Sequence, residues 1–450
     1  MADDKEWTPE HLSALLALET VEGRMALPAA LRTLHPADAA EWIHSLSDDD
    51  QRDVACRLDA ETLSDILTYL NERSREIIIP DLDEKTLTEA FRQMDTDDAV
   101  QIIEAFRPED KEQLLSALPS KERVILEESL VYPEESAGRL MQRDCVTAPE
   151  HWDVGQIIDY VRSQRNLPDD FYDIFIVDAK NRPLGVLPLS RLIRSRRSQS
   201  LSELMETQLH TIPAEDDQEN VAFVFRKYGL VSAPVVNKSG HILGMITVDD
   251  VVHIIDREIE EDFLRLAGVS SSGQVYKAAW RSALGRFQWL FVNLLTAILA
   301  SLVISQFQDS ISSLVALAVL MPIVASMGGN SGTQTLTIIV RALAMRHIGH
   351  ENRLKVVSKE IMTGLLLGGL FAVLSGVVTY LWFDNAKLGV VMAAAMLANL
   401  VAASAAGALI PLSLKKLGLD PALSSTVFLT TVTDVVGFFA FLGLASAFLV

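Results

Sequence analysis

The chain has 450 residues, of which 49% are hydrophobic, and its formal net charge is −21. Residues 1–280 hold 54 acidic and 29 basic side chains, whereas residues 281–450 hold six and ten; the acidic part suits cations and argues against nucleic acid as a partner. The two cysteines, Cys56 and Cys145, form no CxxC pattern, so they support neither a disulfide framework nor a thiolate zinc site.

An apolar repeat with a period of twelve residues runs through residues 30–118. Each unit has apolar residues at i, i+1 and i+4, as in Trp42, Ile43 and Leu46, and this spacing predicts one face of a short helix. Such helices cannot bury their faces alone, so we expect an α-helical, superhelical N-terminal domain over residues 1–135. We interpret its acidic turns as helix N-caps and solvated helix starts.

A second repeat begins near Ser136 and recurs about 64 residues later. In each copy a predicted helix, at 154–163 and at 219–228, precedes two β-rich runs around a turn. The two copies resemble cystathionine-β-synthase (CBS) domains, an α/β tandem pair called a Bateman domain. We assign them to residues 136–197 and 198–256.

Tandem CBS pairs often bind ATP or another adenosine nucleotide through a Thr/Ser-x-x-Asp motif after the last strand. The resemblance implies at most one such nucleotide site, at Thr247 and Asp250 of the second copy. The first copy has Pro188 and Arg191 at the matching positions. The alternative is that Thr247 only caps the helix that follows.

A charged segment after residue 256 predicts a connecting helix with Ile259, Phe263 and Leu266 on one side, ended by Gly268. With the loop that follows, it forms a predicted connecting segment over residues 257–275. Its position suits the transmission of motion, but a passive linker fits the same sequence.

Residues 276–450 predict an all-α polytopic membrane domain of five transmembrane helices. The apolar spans cover about 287–304, 311–344, 361–382, 388–412 and 419–450. Lys and Arg are concentrated before the first span and in alternate loops, so the positive-inside rule predicts a cytoplasmic N-terminus and an outside C-terminus. The acidic first residues lack an apolar stretch, which predicts no signal peptide.

The fifth span has a carboxylate, Asp434, near its middle, where such a group costs roughly 2.5–3.5 kcal/mol on insertion-derived scales. Helical geometry places four polar or small residues on the same face of the span as Asp434, and this predicts a stripe that faces water. The stripe consists of Thr426, Thr430, Thr433, Asp434 and Gly437.

In the second span, Asn330 and Thr333 share a polar face within a glycine-rich stretch at 327–335. We expect the glycines to break the helix there, because irregular backbone at membrane depth is tolerated against protein or a water-filled cavity. Small residues in the third span, Gly364 and Gly368, and in the fourth span predict close helix packing.

Three motifs, MGGNSGTQT (327–335), LGLDPAL (417–423) and TTVTDVVG (430–437), resemble the MgtE family of Mg²⁺ transporters. The resemblance covers essentially the whole chain, including the order of the domains. It implies a homodimeric Mg²⁺ channel in the lipid bilayer of the bacterial inner membrane. Its pore would be lined by spans two and five, and Asp434 would hold the hydrated ion.

The resemblance also implies that cytosolic Mg²⁺ bridges acidic surfaces and holds the pore shut. The matching positions are Asp97, Asp250, Glu261 and Asp262. The chain departs from the family pattern where Gln101, Gly229 and His253 stand in place of expected acids.

Two alternatives stay open at the level of the sequence. One is a divalent-cation carrier of broader selectivity, or an exporter, and the other is a membrane-anchored nucleotide or cation sensor. The polar faces of spans two and five weigh against a mere anchor. We expect no enzymatic activity, because the sequence offers no nucleophile and base pair, Walker loop or HExxH motif.

Overall fold

The computed structural model divides into two compact units, Met1–Asp256 and Arg257–Val450. Residues 270–278, which contain the end of the predicted connecting segment, lie outside the described residues. The structure describes residues 8–16, 21–104, 106, 108–164, 167–168, 171–269, 279–349, 351–422 and 425–449.

In its described residues, the first unit starts with ten helices and a 3₁₀ turn at Ile79–Asp81. Most pack against the helix two places further along the chain: α3 on α5, α4 on α6, α5 on α7, α7 on α9 and α8 on α10. The predicted faces are confirmed, because Trp42 and Ile43 are buried and Leu46 packs against the same core. The helices are α1 Pro9–Leu16, α2 Val21–Leu31, α3 Pro36–His44, α4 Asp48–Ala55, α5 Ala60–Tyr69, α6 Glu72–Ile78, α7 Glu84–Phe91, α8 Thr96–Glu104, α9 Pro108–Ala117 and α10 Ser120–Leu130.

The turns between these helices carry the predicted N-caps. Asp59 and Asp83 each accept a hydrogen bond from the backbone N–H three residues later, as do Ser47 and Asn71. Asp48, Asp49 and Asp50 fill the first turn of α4, where negative charge is favourable. Most acidic turns therefore have a structural explanation that needs no metal.

Each CBS copy forms a three-stranded sheet in which the first strand pairs in parallel with the second and the second pairs antiparallel with the third. The two predicted helices are confirmed within one residue. The elements are α11 Ala137–Leu140, β1 Thr147–Pro149, α12 Val154–Ser163, β2 Asp173–Val177, β3 Pro183–Pro188, α13 Leu189–Ile193 and α14 Leu201–Leu204 in the first copy. They are β4 Ile212–Pro213, α15 Gln218–Tyr228, β5 Ser232–Val236, β6 Ile242–Thr247 and α16 Val248–Leu266 in the second.

The second unit contains the long apolar helices. Among the described residues, four helices are long and apolar enough to cross a membrane: α17, α20, α21 and α22. The remaining predicted span forms α19, which has 29 residues but carries polar and glycine residues through its middle. The helices are α17 Ala279–Ser305, α18 Gln308–Ser313, α19 Ala316–Ala344, α20 Arg353–Phe383, α21 Ala386–Lys416 and α22 Ser425–Phe448.

Helix α21 lies at the centre of this unit and packs against α19, α20 and α22. The predicted close packing of small residues is confirmed. A Cβ added to Gly364 would lie 2.4 Å from Ser404 Oγ, and one added to Gly368 would lie 2.9 Å from Leu397 Cδ1. Glycine at both positions therefore allows α20 to approach α21 closely.

The expected break in the glycine-rich stretch of the second span is wrong. Helix α19 is continuous from Ala316 to Ala344, and its glycines serve packing instead. A Cβ on Gly328 would lie 2.2 Å from Asn399 Nδ2, and one on Gly332 would lie 2.8 Å from Leu429 Cδ1. Because neighbouring helices occupy the space that a side chain would need, the glycines leave the helix regular.

Candidate functional site

Asp434 lies near the middle of α22 and is partly exposed. Within the described part of the chain, its carboxylate has neither a hydrogen-bond partner nor an ion-pair partner. A carboxylate at the centre of a membrane-length helix is rarely left without a partner or a function. Asp434 is therefore available to a cation that comes from outside this chain.

The other members of the predicted stripe on α22 have different surroundings. The hydroxyls of Thr426 and Thr430 donate to backbone carbonyls, of Leu266 and Thr426 respectively. Thr433 is fully buried, and a Cβ on Gly437 would lie 2.8 Å from Asn399 Nδ2. Thr433 and Gly437 thus face the interior of the unit, and the predicted pore-lining role of the stripe stays a prediction.

Helix α19, which packs against α22, presents a second polar stripe. Asn330 and Thr333 are exposed on it, as are Ser326 and Thr337 one or two turns away. The opposite face holds the buried Leu320, Leu336 and Ile339. The hydroxyls of Thr333 and Thr337 donate to carbonyls of their own helix, of Gly329 and Thr333 respectively. The amide of Asn330 needs water or another polar surface if the helix crosses a membrane. The exposed face of α19 is therefore suited to contact water or another polar surface.

The sequence reasoning missed a buried amide at the junction of these helices. Asn399 of α21 is fully buried, and its Nδ2 donates to Val324 O of α19 at 2.8 Å. A single amide within the Ala-rich run of α21 is the signal that could have identified it, since polar side chains in membrane helices often bond to a neighbouring helix.

In the first unit, three carboxylates lie close enough to affect one another. Burial and then the charge of Asp250 raise the pKa of Asp97 well above its usual value. Burial and the charges of Asp250 and Asp95 raise the pKa of Asp98 to about 7. The pKa of Asp250 is raised to about 6, mainly by burial. We call Asp97, Asp98 and Asp250 the acidic cluster.

The acidic cluster contains a carboxylate oxygen without a partner but is not arranged as a closed metal site. Asp97 Oδ1 is buried and accepts no hydrogen bond from the described residues. No group of three or more His, Cys, Asp or Glu side chains in the described part of the chain is arranged to enclose a metal ion. Among divalent ions, Mg²⁺ is usually held through one or two carboxylates and keeps several waters.

The predicted nucleotide motif shares a residue with this cluster. Thr247 donates its hydroxyl proton to Asp250 Oδ2 at 2.7 Å, and Gln142 Nε2 lies 3.4 Å from the same oxygen. In the first copy, Arg191 pairs instead with Glu206 at 2.6 Å. The two copies therefore differ in charge at the position where the motif requires a carboxylate.

Glu261 and Asp262 belong to the second unit, whereas Asp97 and Asp250 belong to the first. Glu261 pairs with Arg265, and Arg265 also pairs with Asp420 ahead of α22. Leu266 packs against the cluster that contains Leu336 and Leu429. The end of α16 is thus attached to the two helices that carry the polar stripes.

Three family profiles match this chain. They are described as the MgtE intracellular N domain, at residues 34–135, the CBS domain, at 137–198 and 201–257, and a divalent cation transporter, at 321–444. A magnesium transporter MgtE from Thermus thermophilus is 30% identical over 97% of this chain and 98% of its own length. The chain belongs to the MgtE family.

Other MgtE relatives support this assignment. The magnesium transporter MgtE of Bacillus subtilis is 29% identical over 86% of this chain and 87% of its own length. The crystal structure of the cytosolic domain of the Mg²⁺ channel MgtE in complex with ATP is similar to this chain with a TM-score of 0.52 and 26% identity. It covers 55% of this chain and 100% of that domain.

The MgtE matches include the sites described above. Asp434, Asn330 and Asn399 lie within the divalent cation transporter segment. Asp97 and Asp98 lie within the intracellular N domain, and Asp250 lies within the second CBS match. The unpartnered carboxylate and the acidic cluster therefore belong to different parts of the family architecture.

Proposed function

We propose that this chain transports Mg²⁺ across a membrane and that Asp434 holds the transported ion. The observation that carries the proposal is a single unpartnered carboxylate at mid-helix, within the segment that matches a divalent cation transporter. The relatives named magnesium transporter MgtE, one of them aligned over nearly the whole chain, support Mg²⁺ as the ion.

The chemistry of Mg²⁺ suits a site with one carboxylate per subunit. Mg²⁺ gives up water reluctantly and is usually held through one or two carboxylates and retained waters. Two copies of Asp434 about a two-fold axis, in a homodimer, would hold the hydrated ion without enclosing it, so the ion could leave. The exposed polar face of α19 would line the same path.

The finer architecture is part of this proposal. Helix α19 acts as a fifth span, and the helices of the first unit form a superhelical solenoid over residues 1–135. The spans lie in the bacterial inner membrane with the first unit in the cytoplasm and the C-terminus outside, as the basic loops predict. The solenoid ends before residue 136, and the two CBS copies begin at residues 136 and 198. The connecting segment begins at residue 257 and the membrane domain at residue 276.

We further propose that cytosolic Mg²⁺ closes the pore through the acidic cluster. A cation between Asp97, Asp98 and Asp250 would offset the repulsion that raises their pKa values. Glu261 and Asp262 would contribute near the membrane domain, where Glu261 is paired with Arg265. Thr247 and Asp250 would bind ATP or another adenosine nucleotide in the second CBS copy.

Selectivity broader than Mg²⁺ is the second candidate, because the matching membrane profile is described as a divalent cation transporter. A sensor that is merely anchored has no use for Asp434 or for the exposed stripe on α19.

Growth of a bacterium that lacks Mg²⁺ uptake tests the transport function. The wild-type chain should restore growth at low Mg²⁺, and Asp434→Ala should fail although it reaches the membrane in equal amount. Asp309→Asn, at an exposed position of α18, is the matched control and should restore growth. Full rescue by Asp434→Ala would overturn the assignment of the ion site.

A further inference from the structure

Asn399 occupies the junction of three helices in the second unit. It is the single amide side chain within Ala386–Lys416 and is fully buried. Its Nδ2 donates to Val324 O of α19 at 2.8 Å, which joins α21 to α19 through one side chain. The preceding turns of α21 are apolar where they pack on the same helices, at Val391, Met392, Ala395 and Met396.

Two glycines make room for this amide. A Cβ on Gly328 of α19 would lie 2.2 Å from Asn399 Nδ2, and a Cβ on Gly437 of α22 would lie 2.8 Å from the same atom. Both distances are shorter than ordinary van der Waals contact. The amide is therefore held between α19 and α22, and neither helix can approach the other there without displacing it.

The two glycines lie beside the polar residues of the proposed ion path. Gly437 follows Asp434 by three residues, within one helical turn, and Gly328 precedes Asn330 by two. The second polar atom of the amide, Oδ1, is buried and accepts no hydrogen bond from the described residues. An apolar residue would fill the junction without leaving a buried acceptor unpaired, so packing alone does not require an amide here.

We propose that Asn399 is a positioning residue for ion conduction, fixing the spacing between the helix that carries Asn330 and the helix that carries Asp434. This inference rests on the transport function proposed above. Selectivity among hydrated divalent cations depends on the distances between the polar groups that line the ion path. Here the buried amide of Asn399 sets the distance between the two helices that carry those groups.

The test uses Asn399→Leu, which keeps a similar volume and removes the donor, in the full chain reconstituted into liposomes. Mg²⁺ and Ca²⁺ fluxes are measured per molecule of folded, monodisperse protein. We expect the Mg²⁺ flux to fall about tenfold or more, and the ratio of Mg²⁺ to Ca²⁺ flux to fall by at least about threefold, because small misplacements of site residues have large effects.

The control is Ser404→Ala. Ser404 lies on the same helix and is equally buried, but it faces Gly364 of α20. It should keep both the wild-type flux and the wild-type ratio. A purely structural role for Asn399 would lower the yield of folded protein and leave the flux ratio unchanged, and that result would overturn the proposal.

If Asn399→Leu yields no folded protein, Gly328→Ala decides the question. It keeps the amide and displaces it by the added Cβ, so the same fall in the flux ratio is expected, and an unchanged ratio would overturn the proposal. Asp434→Ala in the same preparations separates the two claims. Mg²⁺ flux through Asp434→Ala at the wild-type rate would overturn the proposed function. If Asp434→Ala carries no flux but Asn399→Leu keeps the wild-type ratio of Mg²⁺ to Ca²⁺ flux, only the positioning role is overturned.

Discussion

Arg265 Nη1 lies 2.5 Å from Asp420 Oδ2, so the last turn of α16 is attached to the segment that leads into α22. Leu266 O accepts a hydrogen bond from the Thr426 hydroxyl at 3.0 Å beside it. Arg265 also pairs with Glu261, one turn earlier on α16. Glu261 therefore lies beside the ion pair that attaches α16 ahead of α22, and this links a proposed regulatory residue to the helix that carries Asp434.

The first prediction concerns this attachment. Arg265→Ala should weaken the inhibition of flux by Mg²⁺ on the cytoplasmic side, because α16 loses its ion pair with Asp420. Both side chains are about one-third exposed, so the pair contributes at most about 1 kcal/mol, and we expect a shift of about fivefold in the inhibiting concentration. Flux in liposomes at increasing Mg²⁺ on the cytoplasmic side measures it.

The control for this experiment is Arg197→Ala, which breaks a more exposed pair, at 2.6 Å, with Asp159 in the first CBS copy. It should leave the inhibiting concentration unchanged. An equal shift in both variants would show that loss of any surface arginine is sufficient, and the attachment at Asp420 would then have no special role.

The second prediction concerns pH and the acidic cluster. Asp98, with an ordinary value of 3.8, has a pKa raised to about 7 by burial and by Asp250 and Asp95. A carboxyl that is harder to ionise in the fold than in the unfolded chain stabilises the fold below pH ~4, and that contribution is lost as the pH rises to about 7. Asp98→Asn should therefore be more stable than wild type at pH 8 in EDTA, by about 1–3 kcal/mol.

Unfolding of a fragment ending at Leu266 measures this effect. The difference in unfolding free energy between Asp98→Asn and wild type should be small at pH 4 and should increase up to pH 8. Asp49→Asn, at an exposed position of α4, should change the unfolding free energy by less than about 1 kcal/mol at any pH. A difference for Asp98→Asn that does not change with pH would contradict a raised pKa at Asp98.

The third prediction concerns Mg²⁺ at the same cluster. Millimolar Mg²⁺ should slow proteolysis of the first unit relative to EDTA, because a ligand that binds only the folded form stabilises it. The combined change Asp97→Asn and Asp250→Asn should abolish that protection, and Asp49→Asn should retain it. Equal cleavage of the wild type in Mg²⁺ and EDTA would contradict the proposed sensing role.

The architecture of the soluble part could be predicted from the sequence because its signals are local. The twelve-residue period identified the buried faces of the N-terminal helices, and residues such as Asp59 and Asp83 marked their starts. The CBS repeat predicted its helices and β-runs within a residue or two. Each of these signals depends on a residue and on neighbours within one or two turns.

The contacts between membrane helices could not be predicted in the same way. The pattern at 327–335 suggested a broken helix, but the same glycines also permit close packing, and only the positions of Asn399 and Leu429 show which occurs. The polar stripe of α22 likewise divides between a partly exposed Asp434 and a buried Thr433 because α21 packs on one side of it. Arg265 and Asp420 are 155 residues apart, so no local pattern joins them.

The most direct test of the central claim is divalent-cation flux in liposomes, with wild type measured beside Asp434→Ala and Asp309→Asn. The transport account predicts Mg²⁺ flux through wild type and Asp309→Asn, lower flux of Ca²⁺ and Mn²⁺, and background flux for Asp434→Ala at equal amounts of folded protein. Mg²⁺ flux through Asp434→Ala at the wild-type rate would contradict it.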